Sequence, residues 1–221
     1  MSLADDEKAA KLVIQVLTDP AVKNLNFVVG KWAIRTGFYD NVSTAIKNNQ
    51  ITVVVEPSLL KPGAAAQYKP EIDLGGGKKA YDVIVLPRAT LGDTLDQQIK
   101  MAGYIIHECT HAGIDMLNLK PMTRLENELI AHIAHFSALW GKIVQQRMNP
   151  KTAVHVGKIE KAAWLVAEQV FAGKTISKFS LVVLSVTILV DPLYETGMFL
   201  ESNNDGVGKP WLGMIHPLRQ R

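Results

Sequence analysis

The sequence predicts an α+β fold, mainly helical, with a small β-sheet ahead of its central helices. Three observations carry this. Apolar residues recur at helical spacing over 5–17, from 93 to 117, from 124 past 140 and from 152 to 172. Two clear strand patterns, 50–56 and 79–86, precede residue 93. With 48% hydrophobic and 20% charged residues in 221, the chain can bury one sizeable core, which predicts a single domain over 1–221.

The elements follow in order. Asp5 to Leu17 reads as an opening helix with Leu12, Val13, Val16 and Leu17 on its apolar side, stopped by Asp19-Pro20. A second helical region is expected from Val22 to Lys47, broken near Gly37. Gln50 to Glu56 is β-branched and ends at Pro57, so it reads as a strand. Lys61 to Pro70, with Pro62, Gly63 and a run of alanines, reads as a loop. Lys79 to Leu86, ending at Pro87, is the second strand. Asp93 or Thr94 is a candidate N-cap for a helix reaching Leu117, and Asn118 and Pro121 end it. A further helix starts at Arg124, with Leu125, Leu129, Phe136, Trp140 and Ile143 on its core stripe. Thr152 to Ala172 reads as a long helix closed by Gly173. Leu181 to Val190 is ambiguous between a buried strand, which its β-branched content favours, and a buried helix, which its unbroken apolarity also fits, and Ser202 to Gly208 reads as a turn or loop.

The segment most informative about chemistry is His107-Glu108-Cys109-Thr110-His111, in the middle of the 93–117 helix. Four residues apart on a helix, the two imidazoles point at one place in space and suit a borderline-soft divalent ion such as zinc. Glu108 lies about 100° round from His107, so it is free to act as a base on a water that the ion acidifies. An open zinc site needs a third protein ligand, and the next helix offers candidates. Glu128, His132 and His135 cluster within about 60° on one edge of its core stripe, whereas Glu126 lies on the opposite edge. Small Ala131 permits close approach, and the short connection from Asn118 to Thr123 makes the two helices antiparallel neighbours. Glu128 is therefore favoured, with a three-histidine site through His132 or His135 as the rival. His135 or His132 could instead donate to a developing oxyanion. Tyr104, one turn before His107, is another potential donor, although a tyrosine there suits the core. His155 and His216 have no metal-binding neighbours and read as surface residues.

Over about Asp93 to Trp140 this arrangement resembles the zincin metallopeptidases, and among them the gluzincin-like group whose third ligand is a Glu on the following helix. The resemblance implies Zn2+ held by His107, His111 and Glu128, with Glu108 as general base. It also implies that Asp115, four residues after the second His, accepts a hydrogen bond from an imidazole N–H, with His132 lying beside the ligands. Where thermolysin-like enzymes carry an Asp four residues after the ligating Glu, this chain has His132. The three-histidine metzincin spacing is absent after His111. In zincins a sheet precedes the metal helix and its edge strand pairs with substrate, which makes the 79–86 strand the candidate edge.

Other motifs are weaker. Cys109 is the only cysteine, so no intramolecular disulfide forms, and it points about 160° away from both histidines towards packing. Gly75-Gly76-Gly77-Lys78-Lys79 lacks the spacing and the following helix of a phosphate loop, and reads as a turn. Net charge is +3 with dispersed basic residues and no nucleic-acid motif, which argues against nucleic acid as a partner. The longest apolar run, Phe179 to Val190, is too short for a membrane span. The acidic N-terminus does not read as a signal peptide, so a soluble chain is expected, with no compartment fixed but the cytoplasm compatible. The resulting expectation is a zinc metallopeptidase acting on a peptide or protein. The alternatives are a non-catalytic metal-binding or protein-interaction module, and a bacterial effector protease with one protein target.

Overall fold

The computed structural model describes residues 3–75, 78–150, 157–191 and 194. Among them the fold is α+β and mainly helical, with seven α-helices, a two-stranded hairpin and a three-stranded sheet. Helix α1 (Leu3–Leu17) buries Val13, Val16 and Leu17 and packs on the sheet, where Asp6 Oδ1 accepts from Val55 N at 2.8 Å.

The 22–47 region is less helical than its composition suggests. Helix α2 (Pro20–Lys23) is a single turn capped by Asp19, and strands β1 (Phe27–Val29) and β2 (Trp32–Ile34) form an antiparallel hairpin before α3 (Phe38–Lys47). Val29 pairs with Trp32, so the turn is the two residues Gly30-Lys31, and Gly30 takes φ +58°. A positive φ at the first turn position alone is the pattern in which glycine closes a tight hairpin. That local turn overrides the weak helical propensity of the flanking residues.

Strand β3 (Thr52–Val55) pairs parallel with β5 (Lys78–Leu86), and β4 (Gln67–Gly75) pairs antiparallel with β5, giving the order β3-β5-β4. Two expectations need correcting. Gln67 to Pro70 is not loop but the start of a nine-residue strand, because Tyr68, Pro70 and Ile72 alternate with charged Lys69, Glu71 and Asp73. The outer strand beside the helices is therefore β4, whereas the 79–86 strand is central and hydrogen-bonded on both sides. Proline is tolerated at Pro70 because an outer strand need not use every N–H.

Helix α4 (Leu95–Met116) starts on a reciprocal capping box between Thr94 and Gln97, and α5 (Arg124–Gln145) starts on a second one between Thr123 and Glu126. They pack against each other, with α6 (Lys158–Phe171) against α5 and α7 (Lys178–Leu189) against α6. The ambiguous 181–190 segment is thus helix. Ser177 caps its N-terminus, and the Thr187 hydroxyl bonds back to Val183 O, so its polar residues are satisfied locally. One apolar cluster runs from Ala9 to Ile188 and includes the predicted Leu129, Phe136, Trp140 and Ile143. A smaller one, Val54, Ile72, Ala80, Val83 and Val85, covers the other sheet face. Among the described residues no helix is long and apolar enough to cross a membrane. The expectations for residues 152–156, His155, 202–208 and His216, and for Gly76 and Gly77 in the glycine turn, lie outside the described residues.

Candidate metal centre

Helical spacing brings His107 and His111 together on α4, where their Nε2 atoms stand 3.1 Å apart and their rings are 77° from coplanar. Glu128, in the second turn of α5, completes the group. Its Oε2 is 3.3 Å from His107 Nε2 and its Oε1 is 3.6 Å from His111 Nε2. Three donor atoms bound to one tetrahedral zinc at about 2.05 Å would be separated by about 3.3 Å, and the separations of 3.1, 3.3 and 3.6 Å are close to that edge, with each histidine facing a different oxygen of Glu128. The two Nε2 atoms share a single proton at this distance, and the Glu128 carboxylate beside them adds negative charge that favours a cation among the three groups. Glu128 Oε2 is buried and has no well-formed hydrogen bond among the described residues. The donor set therefore fits a borderline-soft divalent cation such as zinc.

Electrostatics point the same way. Burial lowers the pKa of His111, but the Glu128 carboxylate, with help from Glu108 and Asn127, lifts it to about 9. Burial alone would raise Glu128, yet His111 and His107 hold it well below the usual carboxylate range. The tautomer of His111 is set from behind. Its Nδ1 lies 2.7 Å from Asn127 Oδ1, an acceptor, so Nδ1 keeps its proton and Nε2 is the nitrogen that would give up its own to an ion. Sequence reasoning named Asp115 for such a role and missed Asn127, although the residue just before the chosen Glu was a place to look. The structure puts the buried Asp115 on the hydroxyl of Tyr68 instead, with Oδ2 at 2.5 Å.

Glu126 is committed elsewhere. Its Oε2 accepts from Thr123 N at 2.8 Å in the capping box, and its Oε1 accepts from Trp32 Nε1 at 3.3 Å. Glu108 lies between the histidines and binds strand β4, its Oε2 accepting from Tyr68 N at 2.6 Å. Burial raises its pKa, opposed by His107 and His111, so the carboxyl lies within electrostatic reach of the centre and is suited to accept a proton.

His132 stands beside the centre. One of its ring nitrogens, one of His107 and an oxygen of Glu128 all lie within 4.8 Å of one another. Its Nε2 is 2.6 Å from the hydroxyl of Tyr194, and burial drops its pKa to about 3, so the ring is neutral. Tyr194, which sequence reasoning missed because it follows α7 and lies far from the motif, also feels Glu128 and Glu108. Its phenol stays protonated because burial and those carboxylates raise its pKa. His135 takes a different place, wedged between α4 and α5 against Phe136, its ring centroid 6.2 Å from that of His107. Gly103 makes room for it, since a Cβ there would overlap His135 Nε2. Burial holds His135 well below its ordinary pKa. Tyr104 packs edge-on to His135 at 5.5 Å and remains partly at the surface. Cys109 is fully buried, as packing predicted, and burial raises its thiol pKa.

Compared with known protein families, curated proteins and solved structures, the chain finds no match. What the site can do rests on its geometry.

Proposed function

We propose that the chain is a zinc-dependent metallopeptidase of the zincin type, with His107, His111 and Glu128 as ligands and Glu108 as general base. The observation that carries this reading is the convergence of two imidazole nitrogens and the Glu128 carboxylate within 3.1–3.6 Å, beside a fourth acidic group tied to a different element. Zinc, when bound, supplies Lewis acidity to a water and to a substrate carbonyl. Glu108 takes the proton from the attacking water and delivers it to the departing amine. The Tyr194 hydroxyl, steered by His132, is the better-placed donor to the developing oxyanion, while His135 supports the histidine layer from the helix interface. A peptide is the preferred substrate class because β4 is the outer strand and its Tyr68 N–H already faces Glu108. An extended chain laid along that side would bring its carbonyls to the centre.

The test is direct. The purified chain should hold about one zinc and cleave fluorescently labelled casein, and Glu108→Gln should keep the zinc while losing the cleavage. Undiminished cleavage by that variant removes Glu108 from its role.

A second reading has its own support in His132, whose Nδ1 is buried without a partner among the described residues. If His132 joined the other three ligands, the site would be closed and non-catalytic. The Co2+-substituted chain separates the two. An open site changes its visible spectrum on adding an exogenous ligand such as azide, whereas a closed one does not.

A further inference from the structure

Tyr68 ties the outer strand β4 to helix α4 by two hydrogen bonds. Its backbone N–H donates to Glu108 Oε2 at 2.6 Å. Its hydroxyl is shared between Asp82 Oδ1 at 2.9 Å and Asp115 Oδ2 at 2.5 Å. Glu108 and Asp115 are seven residues apart on α4, two turns or about 10 Å along one face. A tyrosine spans that interval with its main-chain nitrogen at one end and its oxygen at the other. Phenylalanine would fill the same space and lose the second anchor.

The anchoring acids lie where such groups are costly. Asp82 is 3% exposed and Asp115 1% exposed. Asp82 also takes φ +56° inside β5, opposite Pro70, while the register runs on unchanged from Lys69↔Val83 to Glu71↔Tyr81. A non-glycine residue in the left-handed region costs about 1 kcal/mol or more, and a buried carboxylate costs more unless its bonds are strong. Part of that cost is offset at the hydroxyl of Tyr68, whose one proton serves both acids.

On the other side, Glu108 needs an external constraint. An interior helical glutamate swings through several rotamers, and α4 offers its carboxylate no spare N–H. The strand supplies one. We infer that Tyr68 is the positioning residue of the base: locked between Asp82 and Asp115 by its hydroxyl, it holds β4 so that its N–H selects the single Glu108 orientation that serves the centre. This rests on the proposed hydrolase reading for what Glu108 does, but not for the clamp itself.

The experiment uses the full zinc-loaded chain, 15N-labelled, and reads amide exchange at residue 68 together with zinc content and casein cleavage. Tyr68→Phe should keep the zinc, speed exchange of the residue 68 amide about tenfold, and lower kcat on casein about tenfold with KM unchanged, the scale of one lost hydrogen bond. Glu108→Ala, which removes the acceptor, should expose the same amide from the other side. If Tyr68→Phe fails to fold, Asp82→Asn, which weakens one hydroxyl contact, should give the same pattern at smaller amplitude. Parent-like protection at residue 68 in the folded variant overturns the inference. A parent that binds zinc but leaves casein intact defeats the peptidase reading alone, because amide exchange still decides the clamp.

Discussion

The proposed ligands and the proposed base are held in different ways. His107, His111 and Glu128 sit on two antiparallel helices, where a four-residue spacing and close packing between α4 and α5 set their separations. Glu108 belongs to the same helix, yet its bond to Tyr68 crosses forty positions of sequence to the edge of a sheet. The seat for the ion is local and repetitive, and the aim of the base is long-range and made once. Metal binding should therefore survive changes that abolish turnover, while the reverse should not occur.

The sharpest way to break that comparison is Glu108→Gln, which should lower casein cleavage by about 10²–10⁴ with zinc content unchanged. His107→Ala attacks the other half, and zinc per chain after dialysis should fall well below one; unchanged stoichiometry would remove His107 from the ligand set. Asn127→Ala should weaken zinc about 10–100-fold in a competition titration with a chelating dye, because the His111 ring loses its orienting acceptor. Gly103→Ala tests the packing beneath the ligands. It forces a Cβ into His135 and should cost about 1–3 kcal/mol in denaturant unfolding.

The chelator-treated chain should also show a pH dependence, which tests the same layer without any substitution. His132 has its pKa lowered to about 3 and His135 is also depressed, so below about 6.5 the unfolded chain binds protons that these rings refuse. Stability should fall as the pH drops from 6.5 towards 3, each ring contributing at most about 1.4 kcal/mol per unit. His111, raised to about 9, works in the opposite sense. Its contribution is complete below 6.5 and disappears as the pH climbs through 9. The unfolding temperature should peak near neutrality, and a profile that keeps rising into acid would contradict the neutral state of His132 and His135.

How much of this was legible follows from the same contrast. The His107–His111 pair, and the choice of Glu128 over Glu126, could be read from helical angles because an α-helix repeats the same geometry at every turn. The cap of α4 was readable to within one residue, as Asp93 or Thr94, for the same reason, whereas the Thr123 cap of α5 was not singled out. The outer strand was not, because Pro70 and the alanines before it look like loop, and the alternation from Tyr68 to Asp73 becomes decisive only once β5 is there to pair with it. The hairpin at 27–34 was hidden by its brevity. Asn127, Tyr68 and Tyr194 were missed since each earns its place through a partner that tertiary structure chooses. His135 was placed on the right edge of α5, but that edge continues from the centre into the helix interface.

Trp32 is a built-in optical gauge. Its indole N–H bonds to Glu126, two positions before Glu128 on the same helical turn, and the Lys31 ammonium lies 4.6 Å from its ring centroid. Any shift at the start of α5 when an ion is seated alters the field around that indole, so its emission would track loading without an added dye. Replacing the other tryptophans with phenylalanine would isolate that signal and turn the hairpin into a readout of occupancy at the far end of its hydrogen bond.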